Sequence, residues 1–432
     1  MNTQITSSLY DQCIATYNTE QKEGTLAAIR KQAFTSFQKN GFPSTKVEDW
    51  KYTNLKPFIQ DNLQLVYGET STALTKEIIE SALIPGLDAY IVVLVNGQLQ
   101  KTLSHQINEK GFTLLPILEA TELPAFQQHF GKYTDVTKHH LTAVNTALFK
   151  DGLFVHLTKS QVVEKPIHII HVSTAKTDFF TQPRYLYVVE ENARLKVVET
   201  YITTTQVKAV VNQLTEVFVG KSANFQQYNI QTGDANAHFI QHTEVFQETT
   251  SVYNNYKFSM PGISFLRNNL HIALDGEHIE SHMYGLYLSG GAQLVDNHTI
   301  VDHRKPNCQS NEHYKGVMQD ASTGVFNGKI FVQEDAQKTN AFQQNNNLIL
   351  GDKASVNSKP QLEIFADDVK CSHGSTIGQF NNEALFYLKT RGIGDEKAKT
   401  LLVQAFAFDV TDKIPDESIQ DFVNGLIEEG LK

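Results

Sequence analysis

The stretch ASTGVFNGKIFVQEDAQKTNAFQQNNNLILGDKASVNSKPQLEI (residues 321–364) decides the fold class of this chain. Short alternating apolar runs, among them Ile330 to Val332, are separated by Gly, Asn, Asp and Ser, the pattern of β-strands joined by turns. Small residues stand near the start of the runs, Ala321, Ala336 and Ala354, at steps of 15 and 18. Steps of that length suit single coils of a stacked β-solenoid. Gln343, Gln344, Asn345, Asn346 and Asn347 offer side-chain amide ladders between coils. Upstream the pattern continues in runs at 186–190, 195–198, 217–219 and 286–288, with small residues at Ala193, Ala223, Ser251 and Ala292. Their intervals up to Ala321 are 30, 28, 41 and 29, an irregular series. Residues 151–379 therefore read as one β core, and periodicity alone leaves a large antiparallel sandwich open beside the solenoid.

The flanks are helical. Leu26, Ile29, Phe34 and Phe37 recur at near-helical spacing over 24–40, closed by Gly41 and Pro43. Helical patterns return over 72–83 and 120–149, around a strand-like run at 89–95, so residues 1–150 read as an N-terminal α-rich domain. Residues 380–432 read as a C-terminal helical domain with helices over 383–389, 397–408 and 417–429, and with Asp395 and Asp416 as N-caps. Leu401, Leu402, Ala405, Phe406 and Val410 form an apolar stripe. About fifty residues would hardly fold alone, so this domain is expected to pack on the β core.

Composition narrows the function. A chain of 432 residues with 41% hydrophobic and 19% charged residues folds around a large core. A net charge of −10 argues against general nucleic-acid binding, which depends on basic surfaces. The three cysteines, Cys13, Cys308 and Cys371, form no CxxC pair, so neither a disulfide framework nor a closed zinc site is written here. A polar N-terminus unlike a secretory signal and the lack of any apolar run of about 20 residues lead us to expect a cytoplasmic protein without a membrane span.

Four motifs carry candidate chemistry. KPQLEIFADDVKCSHG (359–374) sets Cys371 and His373 two residues apart after a strand-like run, and residues i and i+2 of a strand share a face. A thiolate and an imidazole so placed can hold zinc, copper or iron, or share an iron–sulfur intermediate; a half-buried free cysteine beside a hydrogen-bonded histidine is the plainer account. His278, Glu280 and His282 would share a face of a strand and make a two-histidine, one-carboxylate site for a metal-dependent enzyme, or simply a polar surface. Asp367 and Asp368 near His373 suggest a β-helix glycosidase, although adjacent residues of a strand point to opposite faces and cannot both flank one glycosidic bond. GVFNGKI (324–330) is one residue short of a phosphate loop and lacks the Ser or Thr that holds magnesium. No nucleotide site follows from it.

The run 303–393, with YKGVMQDASTGVFNGKIFV, AQKTNAFQQNNNLIL, KPQLEIFADDVKCSHGSTIGQ and ALFYLKTRGI, closely resembles the shared C-terminal half of the SufB/SufD proteins of the SUF iron–sulfur cluster assembly system. FPSTKVEDWKYTNL (42–55) resembles the SufD branch. The resemblance is weaker over 60–131. It implies a right-handed parallel β-helix core between helical domains. It also implies a non-enzymatic scaffold that pairs with SufB through the β-helices and binds the ATPase SufC through the C-terminal helices, about residues 383–410. Nascent clusters would assemble at the SufB–SufD interface. The family's interface histidine falls on His373 and the preceding cysteine on Cys371, either a supporting ligand or a buried thiol. Asp367 or Asp368 is a candidate to orient His373. One histidine and at most one cysteine cannot complete a cluster, so any iron or iron–sulfur cluster held here would be transient and shared with SufB. A homodimer of the isolated chain through the same surface is also expected, and Cys308 is read as structural.

Overall fold

A computed structural model describes residues 4–5, 8–19, 24–59, 63–68, 76–204 and 206–432. Two sheets, of eleven and ten strands, run the length of the molecule. In the first, Arg184–Val189, Ala209–Val219, Ala237–Gln247, Phe265–Leu274, Leu294–His303, Thr323–Val332 and Ser355–Ile364 lie side by side, all parallel. In the second, Ile167–Ser173, Arg194–Thr203, Asn224–Gln231, Val252–Ser259, Glu280–Ser289, Gln309–Met318, Asn340–Ile349 and Lys370–Gln379 do the same. The chain alternates between the sheets, which makes a parallel β-helix of about 8 turns and excludes the sandwich.

The coil length differs from the one expected from the short steps. Asn224 pairs with Val252 and Val252 with Glu280, 28 residues apart each time. A two-sheeted solenoid returns to the same face only after two strands and two corners, so the steps of 15 and 18 are half-coils. Ala321 and Ala354 precede strands of the first sheet and Ala336 precedes one of the second. One corner per coil carries a residue at positive φ: Asn192, Ser222, Thr250, His278, Asn307 and Lys338. Non-glycine residues rarely adopt this conformation. Here a stacked ladder holds it, as Ser222 N–H donates to Thr249, Thr250 N–H to Glu277 and Asn307 N–H to Gln337 carbonyls.

The interior is apolar over much of its length, with Phe225, Tyr253, Leu266, Ile272 and Val301 among its buried residues. Amides enter it, but not as the expected ladder. The neighbours of Asn345 in register are Tyr314 and Ser375, so like amides do not stack. Instead Asn347 donates to Asn345 at 2.7 Å, Asn345 to the Tyr287 hydroxyl at 3.0 Å, and Gln343 to Glu312 at 2.8 Å. Gly328 of the phosphate-loop look-alike lies in a strand, where a Cβ would come within 2.4 Å of the Gln343 amide. Its glycine serves packing.

The N-terminal helices Ser8–Thr19, Ala27–Asn40 and His140–Leu148 cover the outer face of the first sheet, joining Leu9, Phe37, Phe42 and Trp50 to Phe180, Val210, Ile240 and Phe265. Two buried ion pairs fasten this cover. Arg267 pairs with Asp296, which also accepts from Thr53, and stacks 4.6 Å over Trp50. Arg184 pairs with Glu216, which accepts N–H groups from Gly131, Tyr133 and Thr134. That loop splits the helix expected over 120–149 into Pro124–His129 and His140–Leu148. The helix expected over 72–83 is found as Lys76–Ser81, and residues 72–75 lie outside the described residues. Tyr90–Val95 and Phe112–Pro116 extend the two sheets, so the first 150 residues supply strands as well as helices.

At the other end Asp395–Thr411 and Glu417–Glu429 pack on the second sheet, with Val403, Ala407, Val410, Ile419, Val423 and Ile427 against Tyr228, Ile230, Phe258, Leu286 and Val317. Of the predicted stripe only Val410 is fully buried; the docked stripe is rotated to Val403, Ala407 and Val410, leaving Leu401 39% and Phe408 57% exposed. Asp416 caps its helix by accepting from Ile419 N–H. Asp395 does not cap: it is the first helical residue and bonds Lys389 and Lys399 instead. No described helix is long and apolar enough to cross a membrane.

Candidate metal site on the terminal coil

Lys370–Gln379 is the last strand of the second sheet and Ser355–Ile364 of the first; each has a sheet neighbour on one side only. Along the inner strands, residues facing the interior are covered by the next coil. Among the described residues no coil follows here, and Ile364, Phe365 and Ile377 are exposed, Phe365 by 59% and Ile377 by 51%. A row of unpaired backbone groups beside exposed apolar side chains is a template for another chain.

Cys371 and His373 both lie on this strand, opposite Ala341 and Gln343. Cys371 is half-buried against the small cluster of Ile330, Val332, Ala336 and Ala341. Burial pushes its thiol up, opposed by a bond from the Ala341 backbone, so thiolate formation here calls for an arriving cation. His373 is exposed, and among the described residues its ring has no hydrogen-bond partner. It continues an inward column in which Gln343 donates to Glu312. Glu312 is fully enclosed, and burial pushes it up to about 7, against the hydrogen bond donated by Gln343.

Asp367 and Asp368 lie in the bend before the strand, both exposed, and neither is bonded to His373. Asp368 instead continues the corner ladder: its carbonyl accepts from Lys338 N–H and its own N–H donates to Gln337 Oε1 at 2.9 Å. Asp368 is thus engaged by the corner rather than set with Asp367 around His373. His278, Glu280 and His282 do not assemble either. His278 occupies a corner at φ 57, outside the strand that begins at Glu280, and is 3.9 Å from Glu277. His282 faces Glu280 at 3.4 Å and Asn311 at 3.2 Å. The spacing argument failed because it assumed a strand through a corner. Cys308 is buried, its Sγ 3.0 Å from the Gly276 carbonyl, and Cys13 is buried in the N-terminal cover.

Among the described residues, the cluster of three or more His, Cys, Asp and Glu with metal-binding spacing is one that sequence reasoning missed: His139, His242, Glu244 and His271. The available signal was the pair His242 and Glu244 with His271 one coil of 27 residues after Glu244; His139 carries no such sign.

Residues 171–406 match the family described as the SufBD core domain of SUF system FeS cluster assembly, and residues 2–169 match the SufBD protein N-terminal region. An iron–sulfur cluster assembly SufBD family protein of Synechocystis is 30% identical over 392 residues, 88% of this chain and 85% of its own length. The iron–sulfur cluster assembly protein SufD of Escherichia coli is 28% identical over 415 residues, and that of Bacillus subtilis 27% over 436, each match covering 95% of both chains. The chain belongs to the SufBD family of iron–sulfur cluster assembly proteins, on its SufD branch.

Proposed function

We propose that this chain is a non-catalytic scaffold subunit of the SUF system that presents half of a cluster-assembly site on its terminal coil. The uncovered strand Lys370–Gln379 carries this reading, because it aligns Cys371 and His373 on an edge that has no neighbour within the chain. SufB is the partner that would cover the edge and supply the remaining ligands, so that iron or a nascent cluster is held transiently between the two chains. In isolation the same edge suits a homodimer. The soluble, cytoplasmic setting expected from the sequence fits this role.

The SufC contact is placed on residues 383–410. Helix Asn382–Thr390 has no buried residue, and Phe386 is 69% and Tyr387 57% exposed, close in sequence to the free Leu401 and Phe408. In this reading 1–150 form the cover, 151–379 the β-helix and 380–432 the SufC-binding end. Truncation after Gln379 is a poor test, because it would bare Tyr228, Ile230, Phe258 and Leu286 of the second sheet. Phe386→Ala with Phe408→Ala leaves that packing in place and is expected to abolish SufC retention in a pull-down.

Co-expression with SufB and SufC tests the half-site. His373→Ala should leave the complex assembled and strip its cluster content. Normal cluster content would remove His373 from the assignment. Of the two other activities read from the sequence, neither gains a geometry here: the His278, Glu280 and His282 set is dispersed and Asp367 and Asp368 are parted from His373.

A further inference from the structure

Where the helix His140–Leu148 begins against the first sheet, side chains from three elements converge. His139 is the N-cap residue of that helix, His242 and Glu244 lie on Ala237–Gln247, and His271 is the partner of Glu244 in register on Phe265–Leu274. Their ligand atoms all lie within 4.8 Å of one another. Glu244 Oε1 is 2.6 Å from His242 Nε2 and 3.2 Å from His271 Nδ1. The His139 ring is centred 5.0 Å from that of His242 and 5.2 Å from that of His271. Four groups capable of binding one ion therefore face a common centre.

Three of the cations lining the adjoining cavities are engaged elsewhere: Lys138 with Asp135, Arg267 with Asp296 and Arg304 with Asp302. Cavities of about 300 and 350 Å³ open on either side, both lined by His139 and His271, so solvent and ions reach the centre.

We propose that His139, His242, Glu244 and His271 form a binding site for one divalent first-row transition ion. Three imidazoles and a carboxylate without thiolate are the ligands of zinc and of iron(II), whereas magnesium and calcium prefer all-oxygen sets. With ligand atoms at about 2.0–2.2 Å from a zinc-sized ion, small ring rotations draw the present group together, and water from the cavities completes a five- or six-coordinate ion. The bound ion would pin the start of the helix to two successive coils. This site lies on the covered face and stands whether or not the terminal-coil reading holds.

The test uses the full chain carrying Cys371→Ser, which removes the half-buried terminal thiol, stripped of metal and titrated anaerobically with Co²⁺. The expected result is one equivalent bound, with a d–d spectrum free of thiolate charge transfer, displaced by Zn²⁺ or Fe²⁺ and not by Mg²⁺. Glu244→Gln and His271→Asn should each weaken binding by more than about 10-fold, the loss seen even for groups that only support a ligand. His278→Ala, on an exposed corner outside the cluster, should leave binding unchanged. A thiolate band, displacement by Mg²⁺, full affinity in both cluster variants or no binding at all would each overturn the proposal. If a cluster variant loses its native circular dichroism, the spectrum of the chain with an intact cluster and the His278→Ala control decide.

Discussion

Cys371 with His373 and His242 with Glu244 are both pairs two residues apart on strands of one solenoid, yet one stands on a bare edge and the other beneath a helical cover. The inner pair meets His271 from the next coil and His139 from the helix that closes over it. The terminal pair has a coil on one side and, among the described residues, no strand on the other. Spacing along a strand chooses a face; register and cover decide how many ligands share it. An inner site can therefore be complete within the chain, whereas the terminal pair, in the function proposed above, would need another chain.

The sharpest way to break this contrast is to strike the cover. Asp296→Ala would leave Arg267 buried without its carboxylate, and loss of one partner of a buried pair costs about 3–5 kcal/mol. Denaturant unfolding should show a loss of that size; one as small as at the terminal coil would mean that the cover is only loosely held.

Next comes the column beneath His373. Glu312 is held at about 7 in the fold against about 4.3 when unfolded, so the folded state binds more protons across that window. Stability should therefore fall as pH rises from 4.3 to 7, by up to about 3 kcal/mol. Glu312→Gln should flatten that limb and raise stability at pH 8.

The buried histidines act with the opposite sign. Burial lowers His168 and His303 to about 4, so the unfolded chain binds more protons below about pH 6.5. Stability should drop by about 2 kcal/mol per histidine between pH 6.5 and 5, and His303→Gln should remove one such contribution from the thermal midpoint. An unchanged slope would show that His303 titrates normally in the fold.

The smallest effect is expected at the edge. Ile377→Ala, on a side chain 51% exposed, should change stability by less than about 0.5 kcal/mol while weakening association with SufB. A large loss of stability with unaltered association would mark the terminal coil as core rather than interface.

Much of this fold was legible in the sequence because solenoid strands alternate and their corners repeat. The C-terminal helices were placed within a few residues, and Asp416 as a cap followed from its position. Coil length was misread because equivalent small residues fall at both corners of a coil, as Ala321, Ala336 and Ala354 show. The apolar stripe around Leu401 was misjudged by one helical face, since the sheet surface that selects Val403, Ala407 and Val410, from Tyr228 to Val317, lies far upstream in the sequence. Cys371 and His373 were singled out by their spacing on a strand, and the family resemblance supplied the role proposed for them. The inner cluster was not, because it depends on register across coils and on His139 from a separate element, and neither is visible in local spacing.

The most direct measurement of the central claim is amide hydrogen exchange over Lys370–Gln379, in the dilute chain alone and in the complex with SufB. The account predicts strong slowing at this strand and at Ser355–Ile364 on complex formation, with the inner coils unchanged. Unchanged exchange at the terminal coil, with protection appearing on another face, would contradict it.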